Sequence, residues 1–421
     1  MWSRFTSTFT RHSSKASRRM MFGATFACAS LTTVAFVKRN DWSNMFSTQY
    51  ECSDIYEKEE KTFDPRRKPL SAREDPFHRS RRNRPLNDLD LKIFSGSASQ
   101  ELAEEIADHL GTKISGSETG KFADGETYVR VNETVRGKDC YIIQSTCPPA
   151  NDNLMELFLM ISTLKRASAK SITAVIPYYG YARQDRKTED RVSIAGADVA
   201  RLLETMGVDS VISVDLHCWQ IEGFFENKTP VINLEAGIIG MEYVLDDFGI
   251  ENIDNLVVVS PDAGGVGRAK RFQGALLRRG FPEVTLAMII KQRPKPGVVA
   301  RMDLIGDVEG KDCIIVDDMI DSAGTLCKAA QELKEFGAKK VYAFATHGIF
   351  TGEAPERIRD SDLEKVIVTN TIPLSQHFID TVPSEKFEHV SIGTFMAETI
   401  RRIYLKESVA GMYGEDNYRE N

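Results

Sequence analysis

The chain has 421 residues, of which 42 % are apolar, 27 % charged and 9 % aromatic. This composition can bury one large core or two ordinary ones, which excludes a wholly disordered, collagen-like or coiled-coil protein. The seven cysteines include no C-x-x-C pair, so their spacing indicates neither a disulfide scaffold nor a metal site. Residues 1–90 carry 17 Lys and Arg against 11 Asp and Glu, whereas residues 91–421 carry 37 against 50. So acidic a body argues against a nucleic-acid partner but permits small anionic substrates.

The first 40 residues have the composition of an organellar presequence. Basic side chains such as Arg4, Arg11 and Lys15 stand among many Ser and Thr, and the first acidic residue is Asp41. This pattern predicts targeting to an organelle, with mitochondria as the first expectation and plastids as the alternative. The uncharged stretch 20–37 is just long enough to cross a hydrocarbon core, so a membrane anchor or membrane contact stays open, as does a disordered tail.

Residues 41–89 predict a charged linker. Charges are dense there, and Pro65, Pro69, Pro76 and Pro85 recur through the segment. Such a sequence buries little apolar surface and is typical of a mobile spacer. We therefore expect the folded body to begin near residue 90.

From residue 91 onward, short β-rich apolar runs alternate with longer helical patterns, which indicates an α/β protein with helices on both faces of parallel sheets. Two such series of about 150 residues each favour two tandem doubly wound domains, at 90–235 and 236–409, followed by a tail at 410–421. Strands are predicted at 92–94, 141–144, 172–176, 211–214, 256–259, 286–290, 314–316, 341–345, 366–368 and 390–392. Helices are predicted at 153–166, 196–206, 329–336 and 394–404, among others.

The most informative motif runs from Cys313 to Thr325. An apolar strand leads into Asp317 and Asp318, and a turn of small residues then enters a helix. Backbone amides at such a helix start can hold a phosphate, with hydroxyl donors from Ser322 and Thr325. The two adjacent carboxylates can accept hydrogen bonds from sugar hydroxyls. The motif therefore predicts a ribose phosphate site, although a simple helix cap stays possible.

At this motif the sequence resembles the type I phosphoribosyltransferase fold and, over residues 91–409, the ribose-phosphate diphosphokinase family. The segments 93–97 (IFSGS), 151–156 (NDNLME), 181–185 (YARQD), 260–265 (SPDAGG), 346–350 (THGIF) and 369–373 (TNTIP) carry the resemblance in the family's order. The resemblance implies transfer of the β,γ-diphosphate of ATP to the C1 hydroxyl of ribose 5-phosphate, giving phosphoribosyl pyrophosphate and AMP, with Mg²⁺ as cofactor.

The resemblance also implies roles for individual residues. His217 and Asp262 match the family's metal-associated positions, and Lys291 and Arg293 match its catalytic loop. The implied ribose 5-phosphate ligands are Arg293, Asp317, Asp318, Asp321, Ser322, Ala323, Gly324 and Thr325. The implied ATP contacts are Phe122, Asp124, Glu126, Arg183 and Gln184. Phe122, Asp124 and Glu126 match a loop that reaches into a neighbouring subunit's active site.

Physical chemistry agrees with those implied roles. Magnesium takes few protein ligands when substrate phosphates supply the others. A loop with two cations suits diphosphoryl transfer, in which stabilising charge on the transferring group is most of the catalysis. A pocket shared between subunits implies a closed homo-oligomer, a hexamer assembled from dimers, which paralogous subunits could join.

Two other functions stay open at this point. A non-catalytic regulatory subunit of the same family would share the fold, but the complete set of charged residues argues against it. A phosphoribosyltransferase would share the ribose phosphate turn without needing two domains and the ATP motifs.

Overall fold

The structure, a computed structural model, describes residues 90–246, 255–292 and 301–413. The predicted targeting or anchoring segment 1–40, the linker 41–89 and residues 414–421 of the predicted tail lie outside the described residues. Within the three described ranges, no helix combines the length and apolarity needed to cross a bilayer.

The N-terminal lobe, residues 90–235, contains a parallel sheet in the order β1-β4-β5-β6-β7. A separate antiparallel hairpin, β2-β3, interrupts the alternation of strands and helices. The elements are β1 (Leu91–Ser95), α1 (Gln100–Leu110), β2 (Ser117–Lys121), β3 (Thr127–Val131), β4 (Asp139–Ile143), α2 (Ala150–Arg166), β5 (Ser171–Ile176), α3 (Ala195–Met206), β6 (Ser210–Val214) and β7 (Val231–Leu234).

The C-terminal lobe, described over 236–246, 255–292 and 301–413, contains a sheet in the order β10-β9-β8-β11-β12-β13-β14. All its neighbouring strands are parallel except β9 and β10. The elements are α4 (Gly237–Asp246), β8 (Leu256–Ser260), α5 (Val266–Arg278), β9 (Thr285–Gln292), β10 (Arg301–Ile305), β11 (Asp312–Ile320), α6 (Gly324–Glu335), β12 (Lys340–Gly348), α7 (Ala354–Arg359), β13 (Lys365–Thr369), α8 (Gln376–Thr381), β14 (Phe387–Val390) and α9 (Gly393–Tyr404).

The local sequence explains these elements. Every residue of β8, Leu-Val-Val-Val-Ser, is buried, as expected for a strand covered by helices on both faces. Helix α1 buries Leu102, Ile106 and Leu110 at four-residue spacing and ends at Gly111, whose φ of 68° is readily adopted by glycine. The predicted α/β class with parallel sheets is confirmed.

Several element predictions differ from the structure. The last strand, predicted at 390–392, is β14 at Phe387–Val390, because Ile392 is already the N-cap of α9. The helix predicted at 329–336 begins at Gly324, directly after the phosphate turn. The hairpin β2-β3 and the antiparallel strand β10 are not among the predicted elements, because their mixed sequences lack a long apolar run.

Helix α9 connects the two lobes. Its sequence lies within the predicted C-terminal domain, but Phe395, Met396 and Ile400 share a core with Leu91 and Leu102 of the N-terminal lobe. The helix packs against α1. The chain therefore returns to its first sheet after completing the second.

Buried hydrogen bonds also join the lobes where the carboxyl ends of their strands meet. Thr346 Oγ1 donates to Asp215 Oδ2 at 2.6 Å, and Ser145 Oγ donates to the carbonyl of Thr371. His347 Nε2 lies 3.0 Å from the carbonyl oxygen of Val214, so this nitrogen carries the proton. Burial lowers the pKa of His347, which favours the neutral ring. These bonds fix the strand ends that carry the polar residues of the site.

Candidate active site

A cavity of about 1000 Å³ opens between the lobes at the carboxyl ends of β6, β8 and β11. Open α/β sheets bind ligands at this edge, where the loops after parallel strands converge. The predicted residues that line the cavity are Arg183, His217, Asp262, Asp317, Asp318, Asp321, Ser322, Ala323 and Thr325. Residues more than 140 positions apart in the chain thus share one space.

The turn between β11 and α6 forms one wall of the cavity. Ala323 has a positive φ of 57°, a conformation that costs energy in a residue other than glycine and is often found at functional sites. The first helical hydrogen bond runs from Cys327 N to Ala323 O, so the amides of Gly324 and Thr325 precede the helical ladder. Arg357 holds the turn from outside, donating from Nη1 to the carbonyl of Ser322 at 2.8 Å. The geometry is that of an anion site.

Asp317 and Asp318 stand side by side at the base of this turn. Asp318 is 4 % exposed, whereas the Asp317 side chain retains 32 % of its exposure. Arg268 of α5 bridges the pair, with Nη1 3.4 Å from Asp317 Oδ1 and 3.5 Å from Asp318 Oδ1. Burial, and then the charge of Asp318, raise the pKa of Asp317.

His217 reaches one of these carboxylates, that of Asp318, from the other lobe. Its Nδ1 lies 2.7 Å from Asp318 Oδ2. Burial alone would raise the pKa of Asp318, but the hydrogen bond from His217 and the charge of Arg268 hold it below its ordinary value. The same hydrogen bond raises the pKa of His217. Among the described residues, Nε2 of His217 has no partner and is left for a ligand.

Asp262 lies in the Gly-rich turn after β8 and lines the cavity with His217. Its Oδ1 accepts a hydrogen bond from Gly265 N at 3.0 Å, which orients the exposed carboxylate. An imidazole held by a carboxylate through one nitrogen commonly binds a metal through the other. The described residues contain no cluster of three or more His, Cys, Asp or Glu able to hold a metal alone. The pair therefore fits an ion such as Mg²⁺ whose remaining ligands are waters and substrate phosphates.

Arg183 lies at the entrance, on the loop after β5. Its Nη1 is 2.5 Å from Asp321 Oδ2, so the pair links the two lobes beside the phosphate turn. Gln184, also predicted to contact ATP, does not line the cavity; its Oε1 accepts a hydrogen bond from Ser193 Oγ at 3.0 Å.

The residues predicted to contact adenine lie at the tip of the β2-β3 hairpin, outside the cavity of their own chain. Phe122 is 57 % exposed and packs against Tyr128, with ring centroids 5.1 Å apart. Asp124 Oδ1 accepts a hydrogen bond from the amide of Glu126 at 3.0 Å, which shapes the tip. The hairpin thus presents an aromatic face to its surroundings.

Of the two predicted catalytic cations, Lys291 lies near the end of β9, one residue after Ile290, which lines the cavity. Nothing in the described residues bears on Arg293, which lies outside them.

Sequence reasoning missed Arg268, Thr351 and Arg357, each of which contacts a predicted site residue. Arg268 had a usable signal, because it follows the Gly-rich turn of Asp262 by one helical turn. The other two had no such signal: Thr351 lies in the loop after β12 and Arg357 in α7, and both reach the site only through the fold.

Comparisons with known proteins match the chain to two family models. Residues 91–207 match the N-terminal domain of ribose phosphate pyrophosphokinase, and residues 281–414 match the phosphoribosyl synthetase-associated domain. A ribose-phosphate pyrophosphokinase of Vibrio parahaemolyticus is 50 % identical over 77 % of this chain and 99 % of its own length. One of Ralstonia nicotianae is 48 % identical over 77 % of this chain and 98 % of its own. The crystal structure of phosphoribosylpyrophosphate synthetase from Mycobacterium smegmatis has a TM-score of 0.68, 40 % identity, and coverage of 75 % of this chain and 99 % of that one.

Proposed function

Because the chain belongs to the ribose-phosphate pyrophosphokinase family and has its activity, we propose that the cavity between the lobes is its active site. The enzyme transfers the β,γ-diphosphate of ATP to ribose 5-phosphate, giving phosphoribosyl pyrophosphate and AMP for nucleotide biosynthesis. The observation that carries the site assignment is that the phosphate turn, the carboxylate pair and His217 open into one cavity.

Ribose 5-phosphate binds at the turn between β11 and α6. The phosphate lies against the amides of residues 322–325, where the positive end of α6 adds to their attraction, and Thr325 and Ser322 supply hydroxyl donors. The sugar hydroxyls donate to Asp317 and Asp318, both of which line the cavity. Arg268 limits the repulsion between these carboxylates and keeps both at the base of the turn.

ATP approaches from the N-terminal lobe. Arg183 offers its remaining guanidinium donors to the polyphosphate, and Gln184 supports the same loop. The adenine is held by Phe122, Asp124 and Glu126 of a neighbouring subunit, as the family resemblance implies. Their position outside the cavity of their own chain supports this arrangement. The active unit is therefore a homo-oligomer, assembled from dimers into a hexamer. Paralogous subunits could share the same contacts.

Asp262 and Nε2 of His217 would hold the Mg²⁺ cofactor. When bound, it neutralises charge on the phosphates. Asp318 orients the His217 ring from behind, and Asp262 is oriented by the amide of Gly265. Lys291 and Arg293 stabilise the negative charge that develops on the transferring diphosphate, Lys291 as a point charge and Arg293 as a planar donor pair.

Residues 1–40 direct the enzyme to an organelle, mitochondria in preference to plastids. A fusion of residues 1–40 to a fluorescent protein tests this proposal, with a variant in which Arg4, Arg11, Lys15, Arg18 and Arg19 are changed to Gln as control. We expect only the fusion with the unchanged sequence to reach an organelle, because such presequences depend on basic residues. Equal, diffuse distribution of both fusions would contradict it.

The proposed function is tested by following products of the purified full chain with ATP and Mg²⁺, with and without ribose 5-phosphate. We expect AMP and phosphoribosyl pyrophosphate in equal amounts, and AMP only when ribose 5-phosphate is present. Formation of ADP as the main product, or of AMP without the sugar phosphate, would contradict the assignment.

A further inference from the structure

Asp321 places a carboxylate in the phosphate turn, where its charge would repel the anion that the turn is proposed to hold. Both of its oxygens are already engaged. Thr351 Oγ1 donates to Oδ1 at 2.5 Å, and Arg183 Nη1 donates to Oδ2 at 2.5 Å. The amide of Thr351 also donates to the carbonyl of Asp321 at 3.1 Å. The side chain is thus fixed on one side and faces a cation from the other lobe.

The contact leaves most of Arg183 unused. A guanidinium has five N–H donors, and among the described residues only Asp321 accepts from this one. Both residues line the cavity. The remaining donors are therefore available to an anion at the cavity entrance while the pair stays intact.

The Arg183–Asp321 ion pair is not needed for the stability of the fold. The Arg183 side chain is 56 % exposed, and ion pairs so open to solvent contribute little to folding stability. The ion pair restricts the orientation of the Arg183 side chain. A long flexible side chain that is already held in place loses less entropy when it binds a phosphate.

We propose that Asp321, through its carboxylate, is a positioning residue for ATP, which acts by holding Arg183 beside the phosphate turn. This inference rests on the proposed role of Arg183 in binding the polyphosphate. The same turn thus binds the sugar phosphate and supports Arg183, which binds the polyphosphate of ATP.

The test compares Asp321→Asn, Arg183→Ala and the double variant in the full chain. Steady-state kinetics separates the two Michaelis constants, and calorimetry with α,β-methylene-ATP measures nucleotide affinity without turnover. For Asp321→Asn we expect a KM for ATP raised about five- to tenfold, with the KM for ribose 5-phosphate changed less than about twofold. In the Arg183→Ala background, Asp321→Asn should have no further effect on analogue affinity.

Thr351→Val is the matched control, since it removes the other side-chain hydrogen bond of Asp321 and keeps the ion pair; we expect a smaller effect on ATP. If Asp321→Asn raises the KM for ribose 5-phosphate and spares the analogue, or if the two substitutions are additive, the positioning role is wrong. If Arg183→Ala leaves analogue affinity unchanged, the proposed ATP role of Arg183 fails, and this inference fails with it. The activity itself is judged separately by AMP release.

Discussion

Asp318 is the residue at which the two lobes meet inside the cavity. It forms a hydrogen bond with His217 of one lobe and an ion pair with Arg268 of the other, and it is almost completely buried. A buried carboxylate is stable only when paired in this way. The arrangement orients His217 toward the cavity and leaves the more exposed Asp317 for the substrate.

Lys291→Ala should lower kcat by about 10²–10³, the range seen when one charge donor to a transition state is removed. The KM for ribose 5-phosphate should change only a few-fold, because the proposed contact forms with the diphosphate. Steady-state kinetics is the measurement, with Lys270→Ala, an exposed position of α5, as control. An unchanged kcat in Lys291→Ala would remove this residue from the mechanism.

Asp317→Asn should raise the KM for ribose 5-phosphate about tenfold, because the amide offers one acceptor oxygen where the carboxylate offers two. The KM for ATP should stay within about twofold. The control is Asp307→Asn, a charge removed from an exposed loop. A loss of kcat with both Michaelis constants unchanged would argue against recognition of the sugar hydroxyls.

Where an apolar strand leads directly into polar residues, as at Asp317 and His217, the sequence predicts that these residues share the cavity. It places Arg268 near the Gly-rich turn of Asp262, but it does not show that this residue pairs with Asp317, which lies nearly 50 positions further along the chain. It also does not reveal that Asp321 faces Arg183, since that contact depends on how the lobes pack.

Among the elements, the buried parallel strands are predictable because their continuous Val and Ile runs fit only a doubly covered sheet. The hairpin β2-β3 is not, because β2 (Ser-Glu-Thr-Gly-Lys) has no apolar residue and β3 places only Val129 and Val131 against the core. Its functional importance follows only from the family resemblance.

Helix α4 shows how closely one element must approach another. A Cβ on Gly240 would lie 2.3 Å from Cε2 of Phe344, a buried side chain of β12 that also lines the cavity. Gly240→Ala should therefore destabilise the protein by about 1–3 kcal/mol, the usual cost of overpacking a core.

Gly237→Ala is the control in the same helix, because its Cβ would meet nothing closer than 3.9 Å. Urea unfolding of both variants is the measurement, and Gly237→Ala should lie within about 1 kcal/mol of the parent. Equal stability of the two variants would contradict the close packing of α4 on β12.

For the whole molecule, the two lobes are joined through side chains that also shape the site. Asp215 has a positive φ of 40°, and its Oδ2 accepts from Thr346 of the other lobe and from the amide of Ala236. The turn that begins at Asp215 carries His217. The two-lobe organisation is predictable from the repeated strand and helix pattern, but the return of α9 to the first sheet is not, because its apolar face would fit either sheet.

Thr346→Val should destabilise the protein by about 1–3 kcal/mol, since it leaves a buried carboxylate with one donor fewer. Denaturant unfolding is the measurement. The control is Thr205→Val, which removes an exposed hydroxyl bonded within α3 and should change stability by less than about 0.5 kcal/mol. If the two variants are equally stable, the Thr346–Asp215 bond does not hold the lobes together.

The most direct test of the shared cavity is a crystal structure of the full chain with ribose 5-phosphate, α,β-methylene-ATP and Mg²⁺. We expect the sugar phosphate on the amides of residues 322–325, its hydroxyls at Asp317 and Asp318, and the polyphosphate between Arg183 and Asp262. Either substrate bound outside the space between the lobes would contradict the account.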